Sequence, residues 1–337
     1  MKYDVVTFGS ATQDIYIKSK NFLPLANKKF KVGKSVCLPA GSKMKVDGIA
    51  FSAGGGGSNA AATFARLGLK TAYCGMVGND YFGDLIIDEL KKFKIQTSLI
   101  RRTKEKVSNI SIILSYPDGE KTILVYRGAS DILKLRDIPF LKIKNAKWFY
   151  LAPFAESMAD ITEGLVDFAK KNKIKIALNP GYNQLSLPRK VLERILAKVD
   201  ILILNQEEAS LLTKIPYLKE KKIFEKLDRL VHGICIMTKG SKGVVAADGK
   251  YLYRAPALKI KLVDSTGAGD SFNSGFLSGY LRTENISHAI QLGTANSASC
   301  LKELGAKQGL LEKGRKWPRV KVLKELCSEN DLCKVKN

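Results

Sequence analysis

The sequence is poor in the residues that bind transition metals or form redox pairs. It has two histidines and six cysteines among 337 residues, and no two cysteines stand in a Cys-x-x-Cys pair. Zinc sites and dithiol centres need such ligands at short spacing. The scattered thiols instead predict small core residues in a reducing compartment. We expect no metal held by a cage of protein ligands.

Signals for export and for membrane insertion are also missing from the sequence. Asp4 stands where a signal peptide would need an apolar run. The longest uncharged stretch, residues 48–65, contains four consecutive glycines and is a poor lipid helix. Hydrophobic and charged contents of 45% and 26% are those of a globular protein. We expect a cytoplasmic protein with no membrane partner and one domain over residues 1–337.

Two familiar nucleotide-binding motifs are excluded by spacing. A dinucleotide fingerprint starting in the glycine run 54–57 would need glycine where Asn59 stands. The stretch Gly33-Lys34-Ser35 imitates the end of a P-loop, but the glycine required upstream is Lys28. The sequence therefore argues against a dehydrogenase and against a P-loop enzyme.

Acidic residues are outnumbered, with 32 Asp and Glu against 56 Lys and Arg and a formal charge of +24. Such a charge attracts polyanions. The lysines are scattered through amphipathic stretches with few aromatic residues between them, which favours a solvated surface over a nucleic-acid face. A nucleic-acid partner is disfavoured, while the same field helps to bind an anionic small molecule.

The most informative segment is Asp264-Ser-Thr-Gly-Ala-Gly-Asp270, which precedes a helix-like run. Small residues leave backbone N–H groups uncovered at a helix start, where the macrodipole favours anions. A carboxylate at this position suits the removal of a proton from a hydroxyl group while the N–H groups stabilise a transferring phosphoryl group. The alternative is that Asp270 is an acidic N-cap of a tightly packed helix.

The chain alternates strands and helices in the way typical of a parallel α/β sheet with helices on both faces. The pattern predicts strands at 3–9, 71–77, 148–151, 174–178, 201–204 and 233–237, helices at 58–67, 84–93, 158–171, 188–198, 207–212 and 223–231, and an antiparallel hairpin at 244–253. Short alternating pieces with turn signals, including Pro117-Asp118-Gly119-Glu120, predict a small β-sheet flap from segments of about 13–53 and 107–127. The first strand is expected to end at Gly9 and to lead through a polar loop to Asp14. Ligands of such open sheets bind at the carboxyl ends of the strands, where Asp14, Asn205 and Thr238 fall.

Three features together, the early Gly-Gly cluster with Asn-Ala-Ala, Asn205-x-x-Glu208 and Asp-x-Thr-Gly-Ala-Gly-Asp, resemble the ribokinase-like (phosphofructokinase B) carbohydrate kinase family. The resemblance extends from about Tyr3 to Gly309. It implies an ATP-dependent kinase with a Rossmann-like α/β sandwich and a small β lid. It also implies Asp270 as the base and Gly267, Ala268 and Gly269 as the anion hole.

The resemblance implies further site residues, each with a structural alternative. Asn205 and Glu208 would place Mg²⁺ and phosphate, largely through water, or would form a helix N-cap with its neighbouring acid. The remaining assignments are Thr238 and Gly240 for the nucleotide phosphates, Asn296 near the adenine unless it only packs, and Asp264 and Thr266, with the stretch 303–309, for a monovalent cation such as K⁺.

Acceptor contacts would come from Asp14, Gly55, Gly56 and Asn59, where a carboxylate and an amide suit adjacent sugar hydroxyl groups. The alternative for Asp14 is a loop cap. Arg127 is assigned near the acceptor or, equally, to a flap side chain in water. Thr12 and Gln13 stand before Asp14, where sugar kinases often carry Asn.

We expect transfer of the ATP γ-phosphate to a small sugar, ribose-like or fructose-like, with a nucleoside as the alternative acceptor. Outside the kinase class, the positive charge leaves one alternative open, a nucleic-acid-binding protein built on a degenerate kinase fold. The exposed edges of the flap would be covered by pairing with a second copy, so a homodimer through the lid is a further prediction.

Overall fold

The larger sheet of the molecule carries the site. The computed structural model describes residues 2–29, 33–117, 120–155 and 160–327. Within these ranges nine strands form one sheet in the order β17-β16-β15-β14-β13-β12-β11-β1-β6, built from β1 Val5–Phe8, β6 Thr71–Cys74, β11 Trp148–Leu151, β12 Lys175–Leu178, β13 Ile201–Asn205, β14 Ile234–Thr238, β15 Val244–Ala247, β16 Tyr251–Ala255 and β17 Leu323–Leu326. In this sheet β6, β1, β11, β12, β13 and β14 run parallel to one another. The remaining strands, β15, β16 and β17, each pair antiparallel with their neighbours.

Helices cover both faces of this sheet because its parallel strands are apolar on both sides. One core contains Phe8 and Leu178, and the other contains Tyr150 and Ile203. The helices are α1 Gly56–Arg66, α2 Tyr81–Lys92, α3 Phe140–Ile143, α4 Ile161–Lys171, α5 Tyr182–Leu185, α6 Arg189–Leu196, α7 Gln206–Thr213, α8 Glu220–Leu230, α9 Ala268–Thr283 and α10 Ile286–Cys300. None of them, in the part of the chain that the structure describes, is long and apolar enough to cross a membrane.

A smaller sheet lies beside the main one and forms the lid. Among the described residues it has four strands in the order β10-β9-β2-β5, from β2 Thr12–Lys18, β5 Gly48–Gly54, β9 Asn109–Ser115 and β10 Lys121–Tyr126. The β2–β9 pair is parallel and the other two pairs are antiparallel. Short pairs, β3 Pro24–Ala26 with β4 Lys34–Val36 and β7 Met76–Gly78 with β8 Arg101–Thr103, complete the strands.

The register of the lid separates its two faces. Asp14, Ser111 and Ser52 lie in one cross-strand row, and Lys121 lies in a row with Ser115 and Lys18 on the same face. Ile15, Ile112, Phe51 and Leu124 share a row on the opposite face. Alternate residues of a strand point to opposite faces, so Asp14 and Lys121 belong to one surface of the lid.

The predicted fold class is confirmed, a mainly parallel sheet between helices with a small β lid. Two local predictions were wrong. The strand predicted over 71–77 is divided at Gly75 into β6 and β7, and the loop predicted before Asp14 gives way to a strand at Thr12. The centre of the 117–120 turn and the first residues of the helix predicted over 158–171 lie outside the described residues.

Candidate active site

Helix α9 begins at the carboxyl edge of the main sheet with an uncovered turn. Gly267 is its N-cap residue with φ of 76°, a conformation that favours glycine. A Cβ atom added to Gly269 would meet no other atom within 4 Å, so open space adjoins the backbone there. N–H groups in a first helical turn have no carbonyl one turn earlier. The turn can therefore receive an anion.

Asp270 follows in the same turn and is held by an amide from α1. Asn59 Nδ2 donates a hydrogen bond of 2.8 Å to Asp270 Oδ2, and no side-chain capping bond is made at the start of α9. This contact argues against Asp270 as a simple N-cap. Burial raises the pKa of Asp270 above its usual value, while the Asn59 hydrogen bond and the charge of Lys307 oppose the rise.

The glycine run before α1 lies close to two carboxylates. A Cβ on Gly54 would come within 2.1 Å of Asp14 Oδ2, and one on Gly56 would lie 3.4 Å from Asp270 Oδ1. Gly55 has φ of 93°, and a Cβ there would clash with the Ser10 carbonyl at 2.5 Å. Side chains at these positions would fill the space between Asp14 and Asp270. The run therefore keeps one short segment of backbone against both acids.

Asp14 lies on β2 of the lid and is buried. Burial raises the pKa of Asp14 to about 6, although the Ser111 hydroxyl and the charge of Lys307 lower it. Asn59 is also buried, and its Oδ1 has no hydrogen-bond partner within the described residues. A carboxylate and an unpaired amide oxygen on opposite sides of the glycine run are well suited to hydroxyl groups.

Asn205 and Glu208 form a reciprocal capping box at the start of α7. Asn205 Oδ1 accepts from the Glu208 N–H at 2.8 Å, and Glu208 Oε2 accepts from the Asn205 N–H at 2.9 Å. The N-cap alternative is thus present in the geometry. Burial raises the pKa of Glu208 to about 7, and the negative charge of Asp270 contributes to the rise. This carboxylate can both cap a helix and face the centre of the site.

An elongated cavity of about 570 Å³ lies on the outer side of the α9 turn. Thr238 and Gly240, both predicted at the nucleotide phosphates, line it together with Ala268 and Gly269. Its other walls are mainly apolar and include Leu258, Ile260, Leu262, Phe272 and Leu301, with Thr294 and Ser297 from α10. A largely apolar cavity with a few polar groups is typical of a small-molecule site.

Asn296 lies inside the protein and not along this cavity. Its side chain is fully buried, donates to the Ser271 carbonyl at 2.8 Å and accepts from the Leu311 N–H at 2.9 Å. Both ends of the amide are therefore used in joining α9, α10 and the following segment. Thr294 and Ser297, which the sequence reasoning missed, are the polar residues of α10 at the cavity wall.

Arg127 follows β10 and lines a second cavity of about 530 Å³ with Ser10, Pro153, Gly181 and Tyr182. Pro153 also lies 3.2 Å from the position of a Cβ on Gly56, so this cavity adjoins the glycine run. Arg127 is exposed. Its placement is compatible with both alternatives, an acceptor contact and a solvated lid residue.

Asp264 and Thr266 precede the α9 turn and contact a lysine. Lys121 Nζ lies 2.7 Å from Asp264 Oδ1 and also donates to the Thr266 hydroxyl. Asp264 further accepts from the Thr266 N–H at 3.0 Å and from the Gly305 N–H at 3.0 Å. The two side chains predicted to bind a monovalent cation thus hold an ammonium group of the chain itself.

A second lysine that sequence reasoning missed lies beneath the site. Lys307 is fully buried, with Nζ 2.7 Å from the Ala53 carbonyl and 3.2 Å from Glu89 Oε1. Glu89 Oε2 in turn accepts from the Ala53 N–H at 2.9 Å. The pair therefore clamps both backbone groups of the residue before the glycine run. A lysine two residues after Gly305 gives no periodic signal that would predict burial.

The described residues contain no group of three or more His, Cys, Asp or Glu side chains able to hold a metal ion. A hard ion such as Mg²⁺ keeps several waters and is commonly held by one or two carboxylates together with substrate phosphates. Asp270 lies in the first turn of α9, and Glu208 is close enough for the charge of Asp270 to raise its pKa. The donor set therefore fits Mg²⁺ bound mostly by water and phosphate.

A sequence model described as "pfkB family carbohydrate kinase" matches residues 2–313. The chain belongs to the PfkB family of carbohydrate kinases. This confirms the family expected from the late motif, and with it an ATP-dependent kinase of sugars or nucleosides. The match extends beyond α10. It includes all four lid strands and every strand of the main sheet except β17.

Among relatives of this PfkB kinase, a ribokinase of Lactococcus lactis is 31% identical over 80% of this chain and 86% of its own. A cytidine kinase of Thermococcus kodakarensis is 27% identical over 82% of this chain and 92% of its own. The fold matches a putative ribokinase II of E. coli, determined with ATP and Mg²⁺, with a TM-score of 0.75, 20% identity and coverage of 91% and 96%.

Proposed function

We propose that this kinase transfers the γ-phosphoryl group of ATP to a hydroxyl group of a small sugar, with Asp270 as the general base. One observation carries the proposal: the first turn of α9 is shared by two compartments. Ala268 and Gly269 line the large cavity, and Asp270 contacts Asn59 beside the glycine run. A phosphoryl group held by this turn would lie between nucleotide and acceptor.

The nucleotide fits the larger cavity, with Thr238 and Gly240 next to the phosphates. ATP in this position would direct its terminal phosphate at the N–H groups of Gly267, Ala268 and Gly269. Glu208 would hold Mg²⁺, largely through water, and the ion would supply positive charge beside the phosphates. Among the polar residues of α10, Thr294 and Ser297 line this cavity. They are therefore better candidates than Asn296 to contact the adenine.

The acceptor fits between the lid and the glycine run. Asp14 and Asn59 would bind its hydroxyl groups, while Gly55 and Gly56 allow close approach. The 31% identity to a ribokinase favours a ribose-like acceptor. A nucleoside remains the second candidate, because the cavity beside Arg127 adjoins the glycine run at Pro153 and a cytidine kinase is a relative.

Asp270→Asn tests the base. We expect turnover to fall by about 10³-fold or more, because an amide cannot accept the hydroxyl proton, while the affinity for ATP stays within about threefold. Asp167→Asn, in an exposed ion pair with Lys198 on another face, is the matched control. Steady-state kinetics and nucleotide titration measure the two effects. An active Asp270→Asn enzyme would reject Asp270 as the base.

An acceptor panel tests the substrate class. Consumption of ATP would be measured with D-ribose, D-fructose, related pentoses and hexoses, cytidine and adenosine. We expect the largest kcat/KM with a ribose-like sugar. Preference for a nucleoside would support the second candidate. No turnover with any acceptor, together with a salt-sensitive gel shift of nucleic acid, would favour the degenerate-kinase alternative.

The outer face of the lid supports association with a second copy. Ile49, Phe51, Leu124 and Tyr126 keep between 48% and 59% of their surface exposed and share that face by register. A lone molecule rarely leaves so many neighbouring apolar side chains in water. We infer a homodimer in which two lids pack against each other.

A further inference from the structure

Lys121 joins the lid to the loop before α9. It is the first residue of β10, and its ammonium group contacts the Asp264 carboxylate and the Thr266 hydroxyl. The side chains of Lys121 and Asp264 are 23% and 6% exposed. A shielded pair of opposite charges is screened less by salt and water than a surface pair. Salt therefore weakens this contact less than it weakens the exposed ion pairs of the molecule.

The Asp264 carboxylate organises the loop around it. One oxygen accepts from the N–H and the hydroxyl of Thr266 at 3.0 and 2.8 Å, and the other accepts from the Gly305 N–H at 3.0 Å. Burial alone would raise the pKa of Asp264, but Lys121 and these hydrogen bonds hold it below its usual value. Lys121 and the loop donors thus together favour the charged form of the carboxylate that fixes the loop.

The side-chain oxygens expected to bind a free monovalent cation already have a donor from the chain. Asp264 Oδ1 and the Thr266 hydroxyl both accept from Lys121. The Cys300 thiol has one hydrogen and can donate to one nearby carbonyl at a time, with Ala306 closest at 3.4 Å and Thr266 and Gly305 at 3.9 Å. The residues present therefore do not fit the K⁺ that the resemblance implies. The positive charge beside this loop is an ammonium group carried on the lid.

We propose that Lys121 is a positioning residue that replaces a free monovalent cation in this kinase. Its ammonium group holds Asp264 and Thr266 so that the N–H groups of Gly267, Ala268 and Gly269 point at the transferring phosphoryl group. Because the lysine belongs to the lid, this order is reached when the lid covers the site. The inference rests on the proposed function in one respect: the turn of α9 holds that phosphoryl group.

Lys121→Met tests the proposal, because methionine keeps the aliphatic stem and removes the charge. Its matched control is Lys34→Met, since Lys34 pairs with Glu120 within the lid at 2.8 Å. The first measurement is the affinity for ADP, Mg²⁺ and aluminium fluoride, a mimic of the transferring group. We expect a loss of about tenfold or more for Lys121→Met, with ADP alone bound within about twofold of wild type.

The second measurement is turnover of ATP with D-ribose, or with the best acceptor of the panel, in potassium, ammonium and tetramethylammonium salts. We expect the wild-type rate to change by less than about twofold between the salts. In Lys121→Met, kcat should fall by a larger factor than KM changes. Part of the lost kcat should return in potassium or ammonium. Lys121→Gln, with thermal unfolding of each variant, repeats the test if methionine perturbs folding.

Two results would overturn the inference: wild-type turnover that rises severalfold with potassium, or variants that bind the aluminium-fluoride complex as wild type does. A wild-type enzyme that phosphorylates none of the acceptors in the panel would instead contradict the proposed function. The affinity measurement needs no acceptor, so it separates the failure of one claim from the failure of the other.

Discussion

At the scale of single residues, the site is a group of acids whose proton affinities are raised by their surroundings. The pKa of Glu208 is raised to about 7 and that of Asp14 to about 6, in both cases mainly by burial. Asp270 shifts in the same direction. Perturbed acids of this kind cluster at catalytic sites. In the proposed function, the ionised forms would be needed for binding Mg²⁺ at Glu208, holding hydroxyl groups at Asp14 and accepting a proton at Asp270.

We therefore expect kcat/KM to fall as the pH is lowered through about 7 and then about 6, since Glu208 and then Asp14 become protonated. The pH profile of kcat/KM reports groups of the free enzyme. Glu208→Gln should be slower, and the fall of its remaining activity should begin near pH 6. A profile with its acid limb near pH 4 in wild type would contradict this assignment.

The same acids reduce stability when they are charged. A carboxyl group whose pKa is raised by folding binds its proton more tightly in the native state, so the free energy of unfolding decreases as the pH rises between the two pKa values. Asp14→Asn should accordingly raise Tm by a few degrees at pH 8 and by less at pH 5. Asp88→Asn, at an exposed pair with Lys91, should change Tm little at either pH.

The candidate site residues could be proposed from the sequence because small residues and acids stand together at fixed spacing. Thr238, Gly240, Ala268 and Gly269 line one cavity, and Asp270 follows Gly269 in the first turn of α9. Lys121 and Lys307 were not readable. A lysine in a chain with 56 basic residues predicts a solvated surface, and only tertiary contacts can show that one of them is buried.

At the scale of elements, the approach of β5 to α1 depends on a buried ion pair. Lys307 and Glu89 hold the carbonyl and the N–H of Ala53, one residue before the glycine run. This fixes the segment that lies against Asp14 and Asp270. The charge of Lys307 also lowers the pKa of both acids. A contact between distant segments thus sets both the shape of the site and its proton affinity.

Lys307→Met should reduce the free energy of unfolding by about 3 kcal/mol, because it leaves Glu89 and the Ala53 carbonyl without their buried partner. The acid limb of kcat/KM should also move to higher pH. Lys302→Met, at an exposed position of the same segment, is the control for both. Adding Glu89→Gln should recover part of the stability. Unchanged stability and an unchanged profile would refute this account of the pair.

The elements themselves were mostly predictable, and the errors have a common physical cause. Strands such as Trp148–Leu151 follow from apolar runs, and the helix ending before Gly68 follows from its terminal glycine, which has φ of 84°. The path through Thr12 was missed because strand pairing with β5 and β9 overrides its polar composition. Lid strands take their stability from neighbours that are distant in sequence.

At the scale of the whole molecule, the apolar outer face of the lid predicts association. Phe51→Lys combined with Leu124→Lys should convert the proposed homodimer into a monomer, because like charges cannot be buried against a second lid without partners. Light scattering after size-exclusion chromatography measures the change. Leu141→Lys, at a residue 84% exposed on α3, is the control. A wild-type monomer at micromolar concentration would reject the dimer.

The alternation of residues along β2 gives one strand two separate tasks. Its even-numbered positions, from Asp14 onward, share the lid face that we propose to contact the acceptor, while Ile15 and Ile17 lie on the opposite face. If both proposals hold, substitutions on the two faces can change substrate choice and self-association independently. A single inserted residue would exchange the two faces, turning the acid away from the proposed acceptor site and the isoleucines toward it. Length, more than composition, is the property of this strand that selection has to preserve.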